Sequence, residues 1–350
     1  MNEDSYILTD LGTNPEFYDE LVALIESEFH YTHNQSFIKD FAPLISPLNF
    51  ENCLLIIDKK SNKLIAHLAL CPRTLIKNSH IINVCFIGGI VTDKFFRNKG
   101  LFKNLMNFAL KKTEDNYALY FLWSDLSGIY EKFNFHLAGG LVESGNGFFS
   151  DNDKPLGFQK THFSELSEED FREIISIYTK FNEFHFFTVK REEKDWSIIR
   201  EMSSIDLYIG RDENGSIEKY FCVNKGRDLA NIIHEIGCVP EKYQQLIKQL
   251  KPFRTWLPES ENKLIESHNI FYNAFIKIGN LKLLNIFLNS VTDGKLNVNS
   301  VIDEKIEFQF NKQIYHCSNS EFKSYLFGPR PLAEFEDFHL SPYIAGCDSI

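Results

Sequence analysis

The stretch Ile90-Val91-Thr92-Asp93-Lys94-Phe95-Phe96-Arg97-Asn98-Lys99-Gly100-Leu101-Phe102 has the composition of an anion site. A β-branched run ends at Thr92, and a basic turn carries Arg97, Lys99 and Gly100. Apolar residues then recur at Leu101, Leu105, Phe108 and Ala109 with helical spacing, closed by Lys111 and Lys112. The first N–H groups of a helix have no partner inside it, and its dipole favours negative charge there. Gly100 permits close backbone approach, and Arg97 and Lys99 can add charge-assisted bonds to a pyrophosphate. The competing reading is an ordinary basic turn that begins a helix.

Five other positions can do chemistry. Tyr130 carries a phenol that is protonated at neutral pH and can give up a proton; otherwise it packs at a strand–helix junction. His234 and Glu235 are candidate bases or substrate contacts. Alternation along a strand sends them to opposite faces, so at most one faces a given cleft. A hydrogen-bonded core histidine is the plainer reading of His234. Asp125 can bind an ammonium group or cap a turn. The ending Tyr343-Ile344-Ala345-Gly346-Cys347-Asp348-Ser349-Ile350 is an apolar tail with a terminal carboxylate. Metal chemistry has no support. The histidines form no HxxxH pair, His30 and His33 lack a cysteine or carboxylate partner at ligand spacing, and seven scattered cysteines contain no CxxC. An odd, scattered set of cysteines suits a reducing cytoplasm.

The elements that must position these residues alternate between helix and strand. The spacing predicts a helix over 15–29, a hairpin of 53–57 and 64–70, a strand over 81–92, a helix after Gly100, a strand over 117–123 and a short helix over 129–135. A polar loop over 145–155 follows. The order then repeats as a helix over 167–183, a hairpin of 207–211 and 217–223, a strand over 229–238 and a helix over 241–250. This predicts an α/β chain with a mixed sheet, built from a duplicated unit. Three regions are expected: 1–150, 156–270 and a short third segment over 271–350. That segment has a helix at 281–288, a hairpin at 306–316, a helix at 321–326 and an extended tail from 338. The run Lys190-Arg191-Glu192-Glu193-Lys194 reads as a solvated, mixed-charge helix start.

Composition narrows the partners. With 350 residues, 33 Phe and 14 Tyr, the chain can build real cores. A net charge of -11 argues against nucleic acid and is compatible with a cationic substrate. No apolar run reaches the ~18 residues of a membrane span, and the acidic start Met1-Asn2-Glu3-Asp4 is unlike a secretory leader. A homo-oligomer is compatible with the sequence.

The Val91-Thr92 strand end, the Arg97-Asn98-Lys99-Gly100-Leu101 loop and the helix behind it resemble the coenzyme-binding motif of the acetyl-CoA-dependent GNAT acyltransferases. Trp123-Ser124-Asp125-Leu126-Ser127-Gly128-Ile129-Tyr130-Glu131-Lys132-Phe133-Asn134-Phe135 resembles the family's later strand and Tyr-x-x-x-Gly-Phe element, with Asn134 in place of the glycine. Leu101 and Phe102 stand where a small residue is common. The resemblance implies tandem GNAT-like units with acetyl-CoA held by the first alone, because Cys238-Val239-Pro240-Glu241-Lys242 follows the second unit's strand where the basic loop would be. It implies that Ile90, Val91 and Thr92 face the pantetheine and thioester, that Arg97 to Phe102 hold the diphosphate, and that Tyr130 protonates the departing thiolate. Two units plus a short, sterol-carrier-like segment are similar to the Eis-type acetyltransferases, in which a C-terminal carboxylate enters the active site. That likeness implies the Ile350 carboxylate as base. The implied activity is N-acetyl transfer to a primary amine of a cationic small molecule or a lysine side chain. A Fem-type aminoacyl transferase and a non-catalytic acyl-CoA sensor are the alternatives.

Overall fold

The structure, a computed structural model, describes residues 5–31, 36–150, 153, 155–264, 268–330, 332–338 and 340–350. His33 and the Met1-Asp4 segment lie outside the described residues. The first half runs β1 (Tyr6–Asp10), α1 (Tyr18–Glu28), α2 (Phe37–Asp40), β2 (Cys53–Asp58), β3 (Lys63–Lys77), β4 (His80–Thr92), α3 (Leu101–Lys112), β5 (Leu119–Leu122), α4 (Ser127–Tyr130) and β6 (His136–Ser144). The next stretch runs β7 (Gln159–Thr161), α5 (Glu168–His185), β8 (Phe187–Val189), α6 (Glu193–Arg200), β9 (Asp206–Arg211), β10 (Ile217–Val223), β11 (Ile233–Cys238), α7 (Tyr243–Leu250), β12 (Thr255–Pro258) and β13 (His268–Ile278). The last part holds α8 (Leu281–Val291), β14 (Leu296–Ile302), β15 (Lys305–Phe310), β16 (Gln313–Ser318), α9 (Asn319–Phe327) and β17 (Pro342–Tyr343).

One mixed sheet carries both halves in the order β1-β2-β3-β4-β5-β13-β6-β12-β11-β10-β9-β7, with β8 pairing β3 and β17 at its side. A separate sheet holds β14-β15-β16. Within the large sheet β13 lies between β5 and β6, while β6 lies between β13 and β12. Each half therefore lends its last strand to the other, and β13 runs across the expected boundary at 270/271. β3 continues past Pro72, where the sequence suggests a stop. Its pairing with β2 has ended at Ala69 and its pairing with β8 begins only at Leu75, so a missing N–H is tolerated there.

Two apolar faces cover the first half of the sheet. On one, Leu101, Leu105, Met106 and Ala109 of α3 pack on Leu54, Ile56, Cys85 and Ile87. On the other, Leu21 and Ile25 of α1 pack with Leu55, Phe86 and Phe121. β4 and β5 are parallel and pair only over Val84–Phe86 with Leu119–Phe121. Beyond Phe86, β4 continues to Thr92 without a partner on that side, and the sheet opens into a cleft.

Candidate active site

The cleft holds a cavity of about 260 Å³. Its floor is Ile87, Gly88, Gly89 and Ile90 of β4, and its walls are Tyr31, Phe37, Phe41, Trp123, Ser124 and Tyr130. Arg227 and Asp228 reach the rim from the loop after β10, and Ile350 closes one end. Residues far apart in the chain meet here because both halves share one sheet.

A β-bulge shapes the floor. Ala69 pairs with Gly88 and His67 with Val91, so β4 carries one residue more than β3 over this span. Gly89 takes a left-handed φ of +58°, which suits a residue without Cβ. His67, opposite the bulge, is completely buried, and its Nδ1 lies 2.7 Å from the Gly89 carbonyl. Burial pushes this imidazole down to about 4, so the ring is neutral near pH 7. A carbonyl can only accept, so Nδ1 carries the proton and donates. The ring thus holds Gly89, the residue at which the chain bulges beside the cavity. The signal for His67 was one histidine inside the apolar Leu64-Leu70 strand, which sequence reasoning passed over.

Tyr130 is buried in the wall, its ring 5.8 Å from Phe102 and 5.9 Å from Phe275 of β13. Burial raises its phenol above the ordinary tyrosine value, against the opposing effect of a hydrogen bond with Ser124. The group therefore stays protonated over the physiological range and can act as a proton donor. Ile350 packs on the floor: a Cβ built on Gly88 meets Ile350 Cδ1 at 3.1 Å. Tyr130 and Ile350, proposed from sequence as acid and base, thus line the same cavity.

The basic loop lies past the end of β4. Asp93 accepts from the Phe95 N–H at 2.8 Å and starts a short turn over Lys94–Phe96. Asn98 and Gly100 both take left-handed φ, +61° and +80°. Gly100 is the N-cap of α3, and a Cβ there would meet nothing within 4 Å, so the helix start is open. Asn104 N–H closes the first helical bond, to Gly100 O at 3.0 Å. The N–H groups of 101–103 precede that ladder, where a helix start offers donors to an anion. Arg97 donates from Nε to Thr92 O at 3.2 Å and pairs with Glu28, while Lys99 Nζ reaches Phe95 O at 3.1 Å. An open helix N-terminus flanked by two cationic side chains is chemically suited to an anion. The side chains of Leu101 and Phe102 turn away from the loop. The Leu101 side chain is buried under α3, and Phe102 stacks edge-on against Tyr130 and Phe133, so its ring turns inward from the loop. Of Ile90, Val91 and Thr92, only Ile90 lines the cavity; Val91 is buried on the other face and Thr92 pairs with Ala66.

Three sequence candidates lie elsewhere. Asp125 is exposed on the loop after β5, where Ser124 and Leu126 line the cavity and it does not. His234 and Glu235 are completely buried on β11 and do not line it either. His234 Nε2 faces Asn224 O at 2.6 Å, and burial lowers the ring to about 4. Glu235 is bound by Arg191 and by the Tyr220 hydroxyl at 2.9 Å. The Lys190–Lys194 run also needs correction, because the Arg191 side chain is completely buried rather than solvated. No signal local to that run marks it, since the carboxylates that hold it come from Glu235 and Asp348. Arg227, Asp228, Tyr31, Phe37 and Phe41 were also missed as cavity residues.

Residues 12–138 match the family model described as an acetyltransferase (GNAT) domain. No curated protein matches the chain. Among solved structures, a GCN5-related N-acetyltransferase from Anabaena variabilis superposes with a TM-score of 0.62 at 13% identity, over 99% of this chain and 100% of that one. A GCN5-related N-acetyltransferase from Kribbella flavida gives 0.60 at 9% identity, over all of both chains. Saccharomyces cerevisiae N-myristoyltransferase, solved with bound myristoyl-CoA and inhibitors, gives 0.52 at 11% identity, over 78% of this chain and 80% of that one. At these identities the likeness is one of fold, a mixed α/β sheet shared with GNAT acetyltransferases.

Proposed function

We propose that this protein is an acetyl-CoA-dependent N-acetyltransferase that acts on a primary amine of a cationic small molecule or lysine side chain. The observation that carries the reading is the meeting of the bulged floor Gly88–Ile90, the Tyr130 phenol and the C-terminal Ile350 in one cavity, beside the open N-terminus of α3. The GNAT family match over 12–138 supports the donor class. Two GNAT-like units in tandem, as in Eis-type enzymes, are supported by the repeated helix–hairpin–strand–helix–strand order and by the exchange of β6 and β13. Seven free cysteines support a reducing, cytoplasmic setting.

The coenzyme supplies an activated acetyl thioester. Residues 97–103 bind its diphosphate by cationic side chains and backbone N–H groups. The bulge at Gly89 turns the chain beside the cavity, where backbone groups can orient the thioester carbonyl. The acceptor enters at the rim as an ammonium ion, where Asp228 favours positive charge. Burial, then the nearby Asp40 and Asp228 carboxylates, raises the Tyr31 phenol, and Arg227 stands beside Asp228 at the same rim. The Ile350 carboxylate accepts a proton from the ammonium, and the free amine attacks the carbonyl. The C–N bond forms, the C–S bond breaks, Tyr130 protonates the thiolate, and the nitrogen gives up its remaining extra proton to solvent, from which Tyr130 is reprotonated.

Purified protein supplied with acetyl-CoA and a panel of amines tests the reading by free-thiol release and product mass. The expected result is amine-dependent thiol release. Donor binding without release across the panel would favour an acyl-CoA sensor. Transfer from aminoacyl-tRNA instead would favour a Fem-type enzyme.

A further inference from the structure

The tail is held by an unusual anchor. Arg191, in the turn between β8 and α6, donates from Nε to Asp348 Oδ1 at 3.0 Å and from Nη2 to Asp348 Oδ2 at 2.8 Å. The same guanidinium donates from Nη1 to Glu235 Oε1 at 2.9 Å and from Nη2 to Oε2 at 2.5 Å. It lies over the rings of Tyr178 and Trp196, 3.8 and 4.7 Å from their centroids. On either side of Asp348 the tail is held again, as the buried Lys225 Nζ donates to Gly346 O at 2.8 Å and Ser349 O at 2.5 Å.

Burying these charges is expensive, and well-packed apolar side chains of the same volume commonly stabilise a fold as well or better. What a planar, forked cation adds is position: it fixes two carboxylates in one plane. Glu235 belongs to the sheet, so the guanidinium ties Asp348 to a rigid element. Two residues span at most ~7 Å, so an anchor at Asp348 confines Ile350 to the end of the cavity where it meets Gly88.

We propose that Arg191 is a positioning residue, which holds the C-terminal carboxylate in the catalytic cavity through Asp348. The proposal rests on the reading that Ile350 supplies the base. It joins the second half of the chain to a reaction carried out in the first, and it gives the buried charges a purpose that stability alone does not supply.

The test uses the full-length protein and two readouts. Carboxypeptidase trimming of the last residue is followed by intact mass, and turnover is followed by thiol release. In Asp348→Asn we expect trimming at least tenfold faster than wild type, kcat at least tenfold lower and acetyl-CoA Kd within twofold. Arg191→Lys keeps the charge but loses the fork, and is expected to fall between the two. If Asp348→Asn does not fold, the charge-free variant Arg191→Met/Glu235→Gln/Asp348→Asn replaces it with the same expectations. Wild-type trimming and kcat in a folded variant would overturn the proposal. Removing Ile350 separates the layers. Lost turnover on removal beside wild-type kinetics in Asp348→Asn overturns the anchor alone, whereas full turnover on removal overturns the reading beneath it as well.

Discussion

His67 gives the protein an acid sensitivity whose size follows from its burial. The free imidazole titrates near 6.5, and in the fold burial lowers this to about 4. Between those values the unfolded chain binds a proton that the native state refuses, so stability falls as pH drops through this window and is fully present above 6.5. A shift of 2.5 units at about 1.36 kcal/mol each gives an upper contribution of about 3 kcal/mol for this one ring. His67→Gln is the informative variant, because the glutamine amide can still donate to Gly89 O but does not titrate. Urea unfolding of both proteins from pH 8 to pH 4 measures the difference. Wild type should hold its advantage from pH 8 to about pH 6.5, then lose it at up to about 1.4 kcal/mol per pH unit. His234, also lowered to about 4, is common to both proteins and cancels in the comparison. A wild-type minus variant difference that stays constant over the whole range would refute the neutral, buried histidine and with it the account of how the bulge is held.

Other substitutions probe the chemistry. Tyr130→Phe keeps the rings packed against Phe102 and Phe275 and removes only the hydroxyl; kcat for thiol release should fall ~10²-fold or more while acetyl-CoA Kd stays within twofold. Wild-type kcat there would reduce Tyr130 to packing. Arg97→Ala removes a charge-assisted bond to the diphosphate and should weaken acetyl-CoA about tenfold by calorimetry, with a smaller salt dependence than wild type; unchanged affinity would take Arg97 out of the site. Glu28→Gln frees Arg97 from its present ion pair and should tighten acetyl-CoA a few-fold, whereas weaker binding would mean that Glu28 helps to build the loop.

The first half was largely legible because its signals are local. The apolar run over 81–92 appears as β4, and Gly100 marks the start of α3 at the residue where the basic turn hands over to the helical stripe. The second half's hairpin, β11 and α7 were legible for the same reason. The exchange of β6 and β13 was not, since alternation tells which face a residue takes but not which strand lies beside it. Arg191 was misread for a related reason: its neighbours in sequence are charged and exposed, and the two carboxylates that draw it inside lie 44 and 157 positions away. The cavity wall was hidden likewise, as Phe37, Phe41 and Asp228 are brought together only by the fold.

A crystal structure with acetyl-CoA bound tests the central claim most directly. The account predicts the diphosphate on the N–H groups of 101–103 with Arg97 turned from Glu28 toward it, and the thioester beside Gly88–Ile90 within reach of the Tyr130 hydroxyl. A donor bound elsewhere, or a cleft filled by the Phe102 ring with no nucleotide beside α3, would contradict it.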